Sequence, residues 1–406
     1  MRRAGRRTEG LTSHRYPNLS TKAEGRTATL PFVSSADQLS RYIALSEESK
    51  KVIEAASGRF PLKIPEFYLK LAEGADTACA LLRQCVPSGE EIEATGCDDP
   101  LDEHQFSVTP SFIKKYPGRG VFLAAAQCAL YCRFCNRRRF VGKGWNPSAT
   151  WEESFRSMET DGDLKEVIVS GGDPFTLSAE GFSYVMERLK RIKRLTTIRM
   201  STRLPVVYPE GLRSGHVQAL AKGSPVWVVI HINHPGEVSP AFVDAVKKLR
   251  DAGSTMVSQT VLLRGVNDCP HILLRLFETL VSLGIKPYYL FQLDEVTGAM
   301  HFKVHVTEGI RIMHFLREHG SGLAIPQYAL DITGGLGKVP LDYQYVKKRD
   351  GTVLHVESPS GKNGMYADNG GESACQNCGV CGQQKAAGRK QRGQAFNPSA
   401  TSPFYE

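Results

Sequence analysis

The sequence predicts an α/β protein built from six consecutive βα units, arranged either as an open doubly wound sheet or as a partial barrel. Three observations carry this. Six short β-rich runs alternate with longer amphipathic stretches, the pattern of parallel strands joined by helical crossovers. Polar residues cluster at the ends of those runs, where such folds place their chemistry. Two tight cysteine triplets stand near the beginning and after the end of the alternating region.

The runs are 120–127 (GVFLAAAQ), 166–172 (EVIVSGG), 196–203 (TTIRMSTR), 226–233 (VWVVIHIN), 255–263 (TMVSQTVLL) and 285–292 (IKPYYLFQ). Between them, 178–193, 239–253 and 269–284 place apolar residues three and four apart, the spacing of one helix face. Before the first run, 37–95 carries similar helical spacings and ends in a polar, proline-containing connector. After about 325 the chain turns glycine-rich. The expected organisation is a disordered basic tail (1–36), a helical N-terminal region (37–110), the βα region (111–330), a glycine- and cysteine-rich segment (331–382) and a second disordered tail (383–406).

Composition narrows the function classes. Of 406 residues, 41% are apolar and 23% charged, enough to build a core and unlike a disordered chain. No apolar run approaches the roughly 18–20 residues a bilayer span needs. The early arginines Arg2, Arg3, Arg6 and Arg7 are not followed by an apolar segment, so no secretory signal is expected and the cytoplasm is the expected compartment. Net charge is +9, but much of the excess lies in the two tails. Without a basic stripe interleaved with aromatics, no nucleic-acid partner is expected. Ten cysteines in a chain expected to stay in a reducing compartment read as metal ligands or catalytic groups before disulfides.

Cys128, Cys132 and Cys135 (C-x3-C-x2-C) directly follow the first run. Three clustered thiolates suit three corners of a cubane iron–sulfur cluster with one iron left open, or a zinc site awaiting a fourth ligand. The segment CRFCNRRRF resembles the lysine 2,3-aminomutase family of radical S-adenosylmethionine enzymes, and the resemblance runs from about residue 95 to 382. It implies a partial (β/α)6 radical SAM barrel and a [4Fe–4S] cluster whose open iron binds S-adenosyl-L-methionine. It also implies a one-electron donor such as flavodoxin or ferredoxin. The family places histidine where this chain has Phe134. Ser170, Gly171, Gly172 and Asp173, with His231 and Gln259, match family positions that face S-adenosylmethionine; glycines there let backbone approach a ligand.

In DITGGLGKVP, Lys338 follows three glycines. The segment fails the phosphate-loop pattern, since position 332 is Ile and Lys338 precedes Val339. The resemblance instead makes Lys338 the lysine that binds pyridoxal 5′-phosphate as a Schiff base, with Lys115, Tyr116 and Arg119 holding the phosphate. Lys115 stands where the family has arginine, which weakens bidentate binding. By the same resemblance Arg137 pairs with the substrate α-carboxylate and Asp294 and Asp331 read its far end. Two buried carboxylates repel unless a cation lies between them, which points to a small basic amino acid and away from glutamate.

The activity so implied is conversion of L-lysine to β-lysine by migration of the amino group from carbon 2 to carbon 3. Arginine fits the same charges and is the alternative substrate. A protein-lysine aminomutase acting on elongation factor P and a non-enzymatic iron–sulfur or zinc redox module are the remaining alternatives. Cys375, Cys378 and Cys381 form a second triplet, which reads as zinc or a second iron–sulfur cluster. Family resemblance supplies Cys269 from a neighbouring subunit as the fourth zinc ligand, implying a homo-oligomer with exchanged C-terminal segments.

Overall fold

The computed structural model describes residues 32–73, 79–92, 95–222, 225–368 and 370. Most of the first basic tail, all of the second, and Cys375, Cys378 and Cys381 lie outside the described residues.

The N-terminal region is a small two-stranded sheet with short helices. β1 (Phe32–Val33) pairs antiparallel with β2 (Ile64–Pro65). Between them lie α1 (Ala36–Leu39) and α2 (Glu47–Arg59), whose N-caps Ser35 and Ser46 accept from backbone amides of the first turn. After β2 come α3 (Glu66–Leu71) and α4 (Ala80–Arg83). Leu39, Ile53, Tyr68 and Leu82 bury their side chains in the main core.

The central element is a ten-stranded sheet. Its strands in chain order are β3 (Ser107–Thr109), β4 (Phe112–Tyr116), β5 (Arg119–Ala125), β6 (Glu166–Gly171), β7 (Thr197–Thr202), β8 (Trp227–His231), β9 (Thr255–Leu262), β10 (Lys286–Gln292), β11 (Gln327–Ile332) and β12 (Gly337–Pro340). They lie side by side in that same order. β5 through β11 run parallel, and antiparallel hairpins finish both edges. All six expected runs are strands. β11 adds a seventh parallel strand, so the sheet runs straight through the expected division at 330/331. At the other edge β3 joins the sheet ahead of the division at 110/111.

The crossovers contain α5 (Trp151–Thr160), α6 (Ala179–Arg191), α7 (Leu204–Val207), α8 (Ser214–Ala221), α9 (Pro240–Asp251), α10 (Pro270–Ser282) and α11 (Val306–His319). Three of them bury the same i, i+3, i+4, i+7 stripe: Phe182, Val185, Met186 and Leu189 in α6; Phe242, Ala245, Val246 and Leu249 in α9; Leu273, Leu276, Phe277 and Leu280 in α10. Ser178 and Ser239 cap α6 and α9. With the strands parallel, their C-terminal ends gather on one side, and the cysteine loop that follows β5 lies there.

The chain divides into two compact units at Asp342/Tyr343. In the second, β13 (Val346–Asp350), β14 (Val353–Glu357) and β15 (Asn363–Ala367) form an antiparallel sheet. Among the described residues no helix is long and apolar enough to cross a membrane.

Candidate active site

The cysteine loop is held from the N-terminal side. Tyr131 N donates to Lys63 O at 3.0 Å and Arg133 N to Gln84 O at 2.9 Å, while Gly142 N returns to Ala126 O. Arg133 is fully buried, and its Nε and Nη2 donate to Glu91 at 2.8 and 2.6 Å. Arg138 donates to the same carboxylate at 2.5 Å. Cys128, Cys132 and Cys135 are free thiols. Burial first, then neighbouring acidic groups, pushes Cys128 well above the usual thiol range; burial and Cys132 lift Cys135 to about 11. Three thiolates here therefore need a cation among them. That donor chemistry fits an iron–sulfur cluster.

Across from the loop stands the end of β6. A Cβ on Gly171 would lie 2.3 Å from Ala125 O, and one on Gly172 would lie 2.3 Å from Gln127 O. Gly171 also has φ +106. The close approach that requires glycine is thus to the protein's own backbone leading into Cys128, a different reason from the ligand approach expected from sequence. The Asp173 carboxylate is likewise occupied internally. It accepts from Phe175 N, Thr202 Oγ1, Arg203 N and Leu204 N at 2.7–3.0 Å. These bonds lock the ends of β6 and β7 together, while Asp173 still lines the cavity described next.

A cavity of about 310 Å³ lies between these walls, and it brings together most of the predicted residues. The three cysteines, Ser170, Gly171, Gly172, Asp173, His231, Gln259, Arg137, Asp294 and Asp331 all line it. Burial, reinforced by Arg203, pushes His231 down to about 3, so its imidazole is neutral. Its ring centroid is 5.5 Å from that of Phe134.

Arg137 is not a free guanidinium. Nε and Nη2 donate to Glu103 at 2.7–3.2 Å, and Nη1 donates to Ser170 Oγ at 2.8 Å. Arg139 joins Glu103 at 2.6 Å. Burial alone would raise the Glu103 carboxyl, but the two guanidiniums outweigh it and hold it at about 2. Beside Arg137, Asn136 donates to Asp294 at 2.8 Å. Burial and then Asp331 lift Asp294 to about 6, against the pull of Asn136 and Lys338. Lys338 forms an ion pair with Asp331, and its Nζ lies 4.2 Å from the Phe291 ring centroid.

A second cavity of about 210 Å³ shares Arg137, Gln259 and Asp331 with the first and adds Lys115, Tyr116, Arg119, Arg199, Tyr289 and Lys338. Arg119 stacks 4.0 Å over the Tyr116 ring. Arg199 Nε is buried without a hydrogen-bond partner. A cation-lined recess that includes the Lys338 amine fits an aromatic aldehyde phosphate. Cys269 lies in neither lining; it is the N-cap residue of α10.

The Radical SAM superfamily model matches residues 124–277. The L-lysine 2,3-aminomutase of Clostridium subterminale is 32% identical over 87% of this chain and 86% of its own length. That of Methanococcus maripaludis is 33% identical over 86% and 82%. A glutamate 2,3-aminomutase from Clostridioides difficile is 31% identical over 81% and 79%. The chain belongs to the lysine 2,3-aminomutase family.

Membership in the lysine 2,3-aminomutase family makes the chain a radical S-adenosylmethionine enzyme of the isomerase class, and the residues its sequence hid are the supports. Glu91, Glu103, Gln84 and Glu237 hold the arginines around the cysteine loop, but none of them belongs to a recognisable motif. A surplus of arginine in CRFCNRRRF was the signal that buried acids must exist elsewhere in the chain.

Proposed function

We propose that this protein is a pyridoxal phosphate-dependent lysine 2,3-aminomutase that converts L-lysine to β-lysine. The observation that carries the substrate is the polarity of the first cavity. The Arg137 guanidinium, held by Glu103 and Ser170, and two mutually repelling carboxylates, Asp294 and Asp331, line the same cavity. An amino acid with an α-carboxylate and a cationic tail satisfies both; glutamate would add a third carboxylate beside the pair. Lysine and arginine share this charge pattern, and the family relatives named for lysine favour the former.

Cys128, Cys132 and Cys135 would hold a [4Fe–4S] cluster, and Ser170, Gly171, Gly172, His231 and Gln259 line the space for S-adenosylmethionine. Lys338 would bind pyridoxal phosphate, its phosphate taken by Lys115, Tyr116 and Arg119. When bound, these groups supply hydrogen-atom abstraction from the substrate β-carbon and a conjugated system that stabilises the radical as nitrogen migrates. The chain's own residues orient the substrate through Arg137, Asp294 and Asp331. A partial barrel, a one-electron protein donor, a cytoplasmic setting and an oligomer with zinc at Cys269, Cys375, Cys378 and Cys381 complete the reading.

The test is anaerobic incubation of the reconstituted protein with each common amino acid, followed by mass-resolved separation of α and β isomers. β-Lysine is the expected product. Conversion of arginine alone shifts the substrate within the same charge class. Conversion of glutamate without either basic amino acid overturns the role given to Asp294 and Asp331.

A further inference from the structure

Arg203, immediately after β7, is 7% exposed and reaches into the wall of the first cavity. Its Nη1 donates to Cys132 Sγ at 2.7 Å. Its Nη2 donates to Glu237 Oε1 at 2.7 Å and Gln84 Oε1 at 2.6 Å. Glu237 is fully buried and also accepts from Tyr68 Oη, Asn233 N and His234 N at 2.7–2.9 Å. The Arg203 backbone amide is fixed by Asp173. The guanidinium therefore cannot leave Cys132 without stranding a buried carboxylate. Its carbon also lies 5.4 Å from the centroid of Phe134, the ring between Cys132 and Cys135.

We propose that Arg203 is a positioning and tuning residue for the cluster: a buried cation that donates a charge-assisted hydrogen bond to the Cys132 thiolate and makes the cluster easier to reduce. The physical reason is charge. Reduction adds one electron from an external one-electron donor to the [4Fe–4S]2+ cluster and gives the 1+ state, with no bond made or broken at the protein. The added negative charge spreads onto the ligand sulfurs, so a cationic donor at one of them stabilises the reduced state more than the oxidised one. Tyr68 and Gln84 belong to the N-terminal region. Through Arg203 that region bears on the cluster's redox behaviour as well as on the fold.

The inference rests on reading Cys128, Cys132 and Cys135 as cluster ligands, and the experiment separates the two claims. Wild type, Arg203→Lys and the double variant Arg203→Met/Glu237→Gln are reconstituted anaerobically, assayed for iron and sulfide, and titrated redox potentiometrically with detection by electron paramagnetic resonance. The double variant removes the orphaned carboxylate that a single neutral substitution would leave, and the lysine variant keeps a cation beside Glu237. The double variant should reduce at least tenfold less favourably, a midpoint about 59 mV more negative for a one-electron couple. Arg203→Lys should shift in the same direction by less. Cluster-bearing variants that titrate at the wild-type potential overturn the proposal. Wild-type protein with no cluster signature overturns the parent reading instead.

Discussion

Lys338 and Asp331 face each other across the β11–β12 hairpin as register partners, and the ammonium of one rests on the carboxylate of the other. The residue proposed to bind the aldehyde cofactor thus sits on a carboxylate proposed to read the substrate's cationic tail. A lysine ammonium can occupy that position, which supports Asp331 as a cation site from the protein's own geometry. Asp331→Asn removes a charged partner worth about 1.5–3 kcal/mol. The KM for lysine should rise about ten- to hundredfold while kcat changes less, measured in steady-state assays. Lys338→Ala should abolish covalent trapping of pyridoxal phosphate by borohydride yet leave iron content intact.

Asp294 gives the proposed substrate site a pH signature. With its carboxyl at about 6, above the ordinary aspartate value, it is protonated below that pH and ionised above it. A cationic tail needs the ionised form, so affinity for lysine falls as pH drops through about 6. Binding near that pH also expels a proton. Calorimetric titration at pH 6, where the carboxyl is half protonated, in buffers of different ionisation enthalpy should show release of about half a proton per lysine bound. Asp294→Asn should remove the buffer dependence.

Glu103 is the opposite case. Its folded carboxyl, at about 2, lies below the unfolded value of 4.5. The stabilisation it contributes is complete above 4.5 and is lost as pH falls from there through 2. The shift corresponds to about 3 kcal/mol. Denaturant unfolding of Glu103→Gln at pH 7 should show a loss of that order, and the variant's stability should vary less than wild type's as pH falls toward 2. Because Glu103 also holds Arg137 in place, KM for the amino acid should rise in the same variant.

Much of this architecture was legible because it is local and periodic. The stripes of α6, α9 and α10 repeat one spacing, and six apolar runs alternate with the helical stretches. Cys128, Cys132 and Cys135 announce themselves by spacing. Other elements gave no such pattern. β3 and β4 are short, and the Lys114-Lys115 pair breaks the apolar alternation of β4. β11 lies beyond the last clear βα unit, beside glycines that read as loop. Glu103 is one acid in a polar connector, and only the tertiary fold shows that it pairs with Arg137, 34 positions away. Asp173 is the converse case. Its position in the motif was visible, but the direction of its carboxylate depends on β7, which arrives about thirty residues later.

The two glycines ending β6 separate a backbone requirement from a ligand requirement. At Gly172 the atom a Cβ would meet is the carbonyl oxygen of Gln127, at 2.3 Å, and backbone cannot rotate away as a side chain could. Gln127 precedes Cys128, so relieving the clash displaces the first of the proposed cluster ligands. Overpacking of this kind typically costs about 1–3 kcal/mol, too little to unfold a stable domain but enough to shift a loop that positions three thiols. Gly172→Ala should therefore keep its far-ultraviolet circular dichroism while holding less than half the wild-type iron and sulfide after reconstitution. Gly162→Ala is the control, since a Cβ there meets nothing within 4 Å, and it should load normally. Equal metal content in the two variants would mean that the cysteine loop tolerates the displacement and that Gly172 is required for something other than packing against Gln127.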